Sequence, residues 1–326
     1  MKLHGKTLAI TGLGFIGLRM AELALARGMK VRGMDISADG VRRLEATGGT
    51  GIRGNVCDPQ AATELCEGAD IVFHTAAVVK ESGSLDFFRQ VNVEGTRCMA
   101  EAARQTGVTR FIHLSSVMVY GFDFPRNVTE EGPLQGCDNP YCMTKIESEE
   151  VLVPFHTPGA MEVTVIRPGD VYGPGSIPWV VRPLDLMRKG LFMLVDKGRG
   201  IMNHVYVDNL LDAVFLTLEK DATGQAFNVT DGQETTFAEY FTRLGAIIDK
   251  PELRSLPRPV VNLLGTLIDH GSALLRVEPP MSRGAIGFVT RPHAYCIQKA
   301  RDELGYEPRL RLDEGMERVA DWVRKP

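Results

Sequence analysis

The chain has 326 residues, 44% hydrophobic and 24% charged, with a formal net charge of −4. This is the balance of an ordinary globular chain, long enough for one large or two smaller buried cores. No basic run is present to track a phosphate backbone, so nucleic acid is excluded as an expected partner.

Six cysteines are scattered at Cys57, Cys66, Cys98, Cys137, Cys142 and Cys296. None forms a Cys-x-x-Cys pair or a zinc-spaced cluster with histidine, so no metal site is expected. Scattered thiols in a chain of this length read as reduced, hence a cytoplasmic setting. The N-terminus runs straight into a strand, which argues against a signal peptide. The most apolar long stretch, 260–277, is interrupted by Asp269, His270 and two glycines. It is read as a buried or substrate-covering helix, not as a membrane span.

Taken in order, apolar runs and helical periodicities alternate. Strands are expected at 6–12, 29–35, 51–56, 69–77, 108–116 and from 161. Helices are expected at 16–28, 39–49, 84–107 and 141–153. Such alternation predicts an α/β fold, a Rossmann-type doubly wound parallel sheet that binds ligands at its strands' carboxyl ends. Beyond about residue 175, prolines break the pattern. Strands at 203–208 and 224–230 are expected to rejoin the sheet. The division read from this is a nucleotide-binding domain of 1–175 plus 203–235, with a smaller mixed substrate domain of 176–202 plus 236–326.

"TGLGFIG" (11–17) follows a strand and opens a helix, the context that gives a G-x-G-x-x-G its meaning. Gly12 would allow the tight turn, Gly14 close approach of a pyrophosphate, and Gly17 tight helix–strand packing. The phosphates would rest on the helix N-terminus. Asp35, 18 residues after Gly17 at the end of the second strand, would accept from ribose hydroxyls and repel a 2′-phosphate. Ile36 and Ser37 follow it with no adjoining basic residue, so NAD is expected and NADP is disfavoured. Asp58 could accept from the adenine amino group or cap a loop. In "YCMTK", Tyr141 and Lys145 share a helix face, as an acid–base pair or as two ordinary surface residues.

Seven stretches in this order and spacing resemble the extended short-chain dehydrogenase/reductase family. They are "TGLGFIG", "FHTAA" (73–77), "VNVEGT" (91–96), "HLSSVMVYG" (113–121), "YCMTK" (141–145), "RPGDVYGPG" (167–175) and "HVYVDN" (204–209). The end of the chain, 299–323, is similar too. The resemblance implies that Tyr141 exchanges a proton with the substrate oxygen while Lys145 favours its phenolate and holds the nicotinamide ribose. It implies that Ser116, four residues before Tyr120, orients the substrate, Ser115 being the weaker match. Asn92 matches the family's asparagine on the central helix, with a structural or a catalytic role. Further cofactor contacts are implied at Phe15, Ile16, Val56, Ala76, Ala77, Pro168 and Val171. Two departures stand out. The glycine loop is one residue shorter than the family's usual form, and Cys142 replaces a small residue, as filler.

The family contains dehydrogenases of hydrophobic alcohols and ketones, nucleotide-sugar epimerases and dehydratases, and members that have lost catalysis. Intact Ser116, Tyr141 and Lys145 argue against the last. The sugar enzymes carry an asparagine just after the sixth-strand arginine and an Arg-Asp-Phe before the V-x-D element. Here those places hold Pro168, Gly169 and Asp170, then Met202, Asn203 and His204. This resembles the 3β-hydroxysteroid dehydrogenase branch, so an oxidoreductase acting on a hydrophobic small molecule is expected. Phe87, Val91, Met99 and Val151 suggest a second apolar stripe on 84–107 and 141–153, the pairing surface of a homodimer.

Overall fold

The computed structural model describes residues 1–79, 83–136, 139–261, 263 and 283–325. Six strands, β1 (Thr7–Thr11), β2 (Lys30–Asp35), β3 (Thr50–Arg53), β4 (Ile71–His74), β5 (Arg110–Leu114) and β6 (Glu162–Pro168), alternate with helices. Between them run α1 (Phe15–Ala26), α2 (Ala38–Ala46), α3 (Pro59–Cys66), α4 (Leu85–Arg89), α5 (Gly95–Gln105) and α6 (Pro140–Glu150). Four short strands follow: β7 (Asp170–Tyr172), β8 (Met193–Val195), β9 (Ile201–Met202) and β10 (His204–Tyr206). The seventh strand of the large sheet, β11 (Ala226–Val229), lies beyond α7 (Arg182–Arg188) and α8 (Val207–Glu219). The sheet order is β11-β6-β5-β4-β1-β2-β3, and every pairing within it is parallel.

Side chains alternate across a strand, and β1 shows the result. Leu8 and Ile10 enter one core with α1 and α8 residues such as Met20 and Leu211. Ala9 enters the other, with Leu65 of α3 and Met99 of α5. Both faces are therefore covered by helices. The strand order turns back at β1 and β4, the place where such a sheet opens a crevice at its carboxyl edge.

Several boundaries differ from the sequence reading. The expected helix 84–107 contains a π-helical turn, Gln90–Glu94, between α4 and α5. The strand expected from 161 stops at Pro168. Pro168 lacks an N–H, and a Cβ on Gly169 would lie 2.0 Å from the Asn203 carbonyl oxygen, so another chain crosses closely there. β7 then pairs in parallel with β10, outside the large sheet. The expected return of 203–208 to that sheet is thus corrected, whereas β11 does join it beside β6. Met99 and Val151 are buried in this chain's own core, which removes them from the expected dimer stripe; Phe87 stays exposed. Of the apolar stretch 260–277 only 260, 261 and 263 fall within the described residues. Among the described residues, no helix is long and apolar enough to cross a membrane.

Candidate active site

The carboxyl ends of β1, β2 and β4 carry the glycine loop, Asp35 and the 75–78 segment. Gly12 has φ +82°, and a Cβ there would meet the Ala76 amide nitrogen at 2.9 Å. A Cβ on Gly17 would stand 1.9 Å from the Gly12 carbonyl oxygen. Gly14 differs: nothing lies within 4 Å of its Cβ position, and as the N-cap of α1 it receives no side-chain bond. A helix start left open in this way fits a pyrophosphate, with Phe15 and Ile16 opening the first turn. The shortened loop is tied down by Asp35. Its carboxylate accepts from the Leu13 N–H at 2.6 Å and the Ser37 N–H at 2.7 Å. Asp35 is thus a strut of the loop as well as a candidate ribose acceptor.

Sequence reading overlooked Arg53. It is the β3 residue directly opposite Asp35 on β2, and its exposed guanidinium donates to the Ile36 carbonyl at 3.4 Å. Only strand register reveals that neighbour. Asp58 takes the capping role: it accepts from Gln60 N–H at the start of α3. Val56 is buried against Gly95. Ala76 and Ala77 border the loop, partly buried. Pro168 is buried at the end of β6, and Val171 is partly buried in β7.

Asn92 has a structural part. Its side chain accepts from the Val78 N–H at 2.7 Å and donates to Thr144 Oγ1 at 3.0 Å, fastening the segment after β4 to α6. Near it, Thr11 Oγ1 accepts from the Thr75 N–H at 3.2 Å and sits 2.7 Å from His74 Nδ1. His74 Nε2 lies 3.0 Å from Thr96 Oγ1, which donates to the Asn92 carbonyl at 2.7 Å. The pattern assigns the hydrogen of His74 to Nε2. Burial, then the nearby Lys145 charge, lowers the His74 pKa to about 3, so the ring is neutral.

α6 begins where its chemistry begins. Asn139 caps it by accepting from the Tyr141 and Cys142 N–H groups, and Pro140 takes the first turn, where a missing N–H costs nothing. Ser116, at 7% exposure, accepts from the Met118 N–H at 3.1 Å, and its hydroxyl lies beside the Tyr141 phenol. Lys145 Nζ donates to the Leu114 carbonyl at 2.8 Å and lies 5.9 Å from the centre of the Tyr141 ring. The structure therefore brings Ser116, Tyr141 and Lys145 together at the end of β5. Burial raises the Tyr141 pKa above the ordinary phenol range, and the Ser116 hydrogen bond offsets only part of that. Burial also lowers Lys145 to about 8, against an opposing pull from Glu149. Burial thus favours the protonated form of the phenol. Cys142 is fully buried.

Ser115, the weaker sequence match, is turned away and donates to Glu149 Oε1. Arg167 grips that carboxylate with Nε at 2.9 Å and also with Nη2, while its Nη1 reaches Tyr120 Oη at 2.7 Å and the Glu130 carbonyl at 2.8 Å. Beyond β6, Asp170 pairs with the fully buried Arg291 at 2.6 Å. His204 lies 3.0 Å from Asp231 and 2.9 Å from Thr235. Asn203 holds the Tyr295 N–H and the His293 carbonyl. These pairs escaped the sequence reading, though Glu149, four residues after Lys145, was within reach of the same helix-face rule.

The chain belongs to the NAD dependent epimerase/dehydratase family, whose model matches residues 8–230. It is an NAD-dependent enzyme of the extended short-chain dehydrogenase/reductase type. It is 29% identical to the 2-alkyl-3-oxoalkanoate reductase of Stenotrophomonas maltophilia, over 96% of this chain and 98% of that one. It is 28% identical to the decarboxylating sterol-4-alpha-carboxylate 3-dehydrogenase of Mus musculus, over 96% and 90%. It is also 28% identical to the UDP-glucose 4-epimerase of Vibrio cholerae, over 97% and 94%. In fold it is similar to the UDP-glucose 4-epimerase of Thermotoga maritima, with a TM-score of 0.79 at 23% identity and 98% coverage of both chains.

Proposed function

We propose that the protein interconverts a secondary alcohol and a ketone on a hydrophobic substrate, with NAD as hydride carrier and Tyr141 as acid and base. The observation that carries this reading is the convergence of Ser116, Tyr141 and Lys145 at the carboxyl end of β5, with Lys145 Nζ 5.9 Å from the centre of the Tyr141 ring. The glycine loop and Asp35 would hold the cofactor, which when bound would supply the hydride chemistry. Ser116 would orient the substrate oxygen with its hydroxyl, and Tyr141 would deliver the proton. Lys145 would hold the ribose and the charge balance behind Tyr141. NAD is preferred to NADP because the Asp35 carboxylate stands at the end of β2. The substrate half is assigned to 176–202 and 236–326, and the active unit to a homodimer pairing through exposed Phe87 and Val153.

A hydrophobic substrate, not a nucleotide sugar, is supported by Asp170. A carboxylate stands near where a diphosphate-binding asparagine is expected, and Arg291 pairs with it through Nη2. Aromatic rings line the neighbouring segments: Phe122 meets Phe288 edge-on, and Trp179 stacks on Phe288. Two relatives bear names with a carboxylate on the carbon next to the reacting one, so 3-oxo acids join sterols as test substrates. The experiment is a panel of 3-oxoalkanoates, hydroxysteroids, apolar ketones and nucleotide sugars, with NADH or NAD in excess, following absorbance and product together. Net cofactor turnover with an apolar member is expected. Isomerisation of a sugar without net turnover would overturn the reading in favour of an epimerase.

A further inference from the structure

Three consecutive residues at the exit of β5 each face one residue of α6. Lys145 holds the Leu114 carbonyl, Glu149 holds the Ser115 hydroxyl, and Tyr141 lies beside the Ser116 hydroxyl. Tyr141, Lys145 and Glu149 are spaced by four, so they form a single row along the helix. Two of the three are the reacting groups proposed above. The third is fixed from its far side by the two-pronged Arg167, and the side chains of both ions are at most 9% exposed. A buried ion pair is a poor device for stability alone, since apolar residues of the same volume commonly serve as well or better. A row of cation, anion and cation ending beside Tyr141 is therefore a feature that asks for a role in the site.

We propose that Glu149, gripped from behind by Arg167, is a positioning residue that sets the register of Ser116 against Tyr141 and the charge felt by Lys145. The proposal rests on the assignment of Tyr141 and Lys145 made above. The groups around Lys145 are few. From β4 and β5 come His74 and His113, both held neutral by burial. From its own helix come the Tyr141 ring and Glu149. Of these Glu149 carries the negative charge, and Arg167 tempers it from behind.

The test reads Lys145 directly. Protein labelled with 13C at lysine Cε is titrated by NMR, and the Lys145 resonance is assigned by its loss in Lys145→Arg. Glu149→Gln keeps the shape, removes the anion and leaves Arg167 facing Lys145. The Lys145 midpoint should fall by roughly one pH unit or more, as expected for a lost opposite charge at short range. Arg167→Gln should raise it, Arg167→Lys should leave it in place, and the double Glu149→Gln/Arg167→Gln should return it towards the parent value. The high-pH limb of kcat/KM should move with the midpoint. A purely structural pair would lower activity in both single variants without opposite shifts, and that result overturns the proposal. So does an unmoved midpoint in Glu149→Gln, whatever happens to the arginine variants. Failure of the parent protein to turn over any member of the substrate panel would count against the function proposed above, while the titration stands independently of it.

Discussion

Arg291 and Asp170, 121 positions apart in the chain, meet at 2.6 Å in an ion pair that solvent barely reaches. The guanidinium also lies over the Phe288 ring, 3.9 Å from its centre. The pair ties the segment leaving β6 to the chain far beyond β11. Replacing Arg291 by Met would strand a carboxylate in a dry site, a loss of roughly 3–5 kcal/mol. Urea unfolding of Arg291→Met should show that loss, and Asp170→Asn combined with Arg291→Met should recover much of it. Equal stability of the parent and Arg291→Met would refute the account.

Tyr141→Phe removes the proton donor and keeps the ring. Turnover should fall roughly 10²–10⁴-fold, the usual worth of a placed general acid. NAD affinity by calorimetry should stay within a few-fold, since the glycine loop is untouched. Near-parent turnover would remove Tyr141 from its role.

For the cofactor, NAD should bind more tightly than NADP in side-by-side calorimetry. A phosphate brought against Asp35 meets a like charge in a partly dry site. Arg53, opposite Asp35 in the sheet, is the cation that could compensate, so Arg53→Gln should widen the preference for NAD. Tighter binding of NADP by the parent would reject the role given to Asp35.

Stability should fall with acid before the carboxylates titrate. Burial holds His74 near 3 and His113 well below the ordinary 6.5. Unfolded, both rings bind protons below that ordinary value, so the unfolded chain gains protons the folded one refuses. The stabilisation is complete above about pH 6.5 and is lost as pH falls, by roughly 3 kcal/mol down to about pH 5 for the two together. Urea midpoints across that interval give the measurement. A flat profile would mean the rings are not neutral in the fold.

Much of the site was legible because it is written in local terms. Gly12, Gly14 and Gly17 mark a strand-to-helix turn by their spacing alone, and Tyr141 with Lys145 declares a helix face. What escaped depends on register across the sheet. Arg53 opposes Asp35 only once β2 and β3 are aligned, and Arg167 finds Glu149 only when β6 lies beside β5. The departure at Gly169 hangs on a backbone contact with Asn203, 34 residues later in the chain. Met99 and Val151 looked like a second face because periodicity records that a residue is apolar without saying which neighbour covers it. Their partners are in the chain's own core.

The link from the Thr75 amide through Thr11, His74 and Thr96 to the Asn92 carbonyl has a polarity. Each hydroxyl already accepts on one side, so every hydrogen points towards Asn92, and turning one around would require turning all of them. Both ends are main-chain peptide groups, which do not titrate in the working range. The link thus resembles a wire that is connected to nothing. It braces the glycine loop against the central helix while insulating it, so that protons exchanged at Tyr141 have no path through His74 to the edge that faces the phosphates.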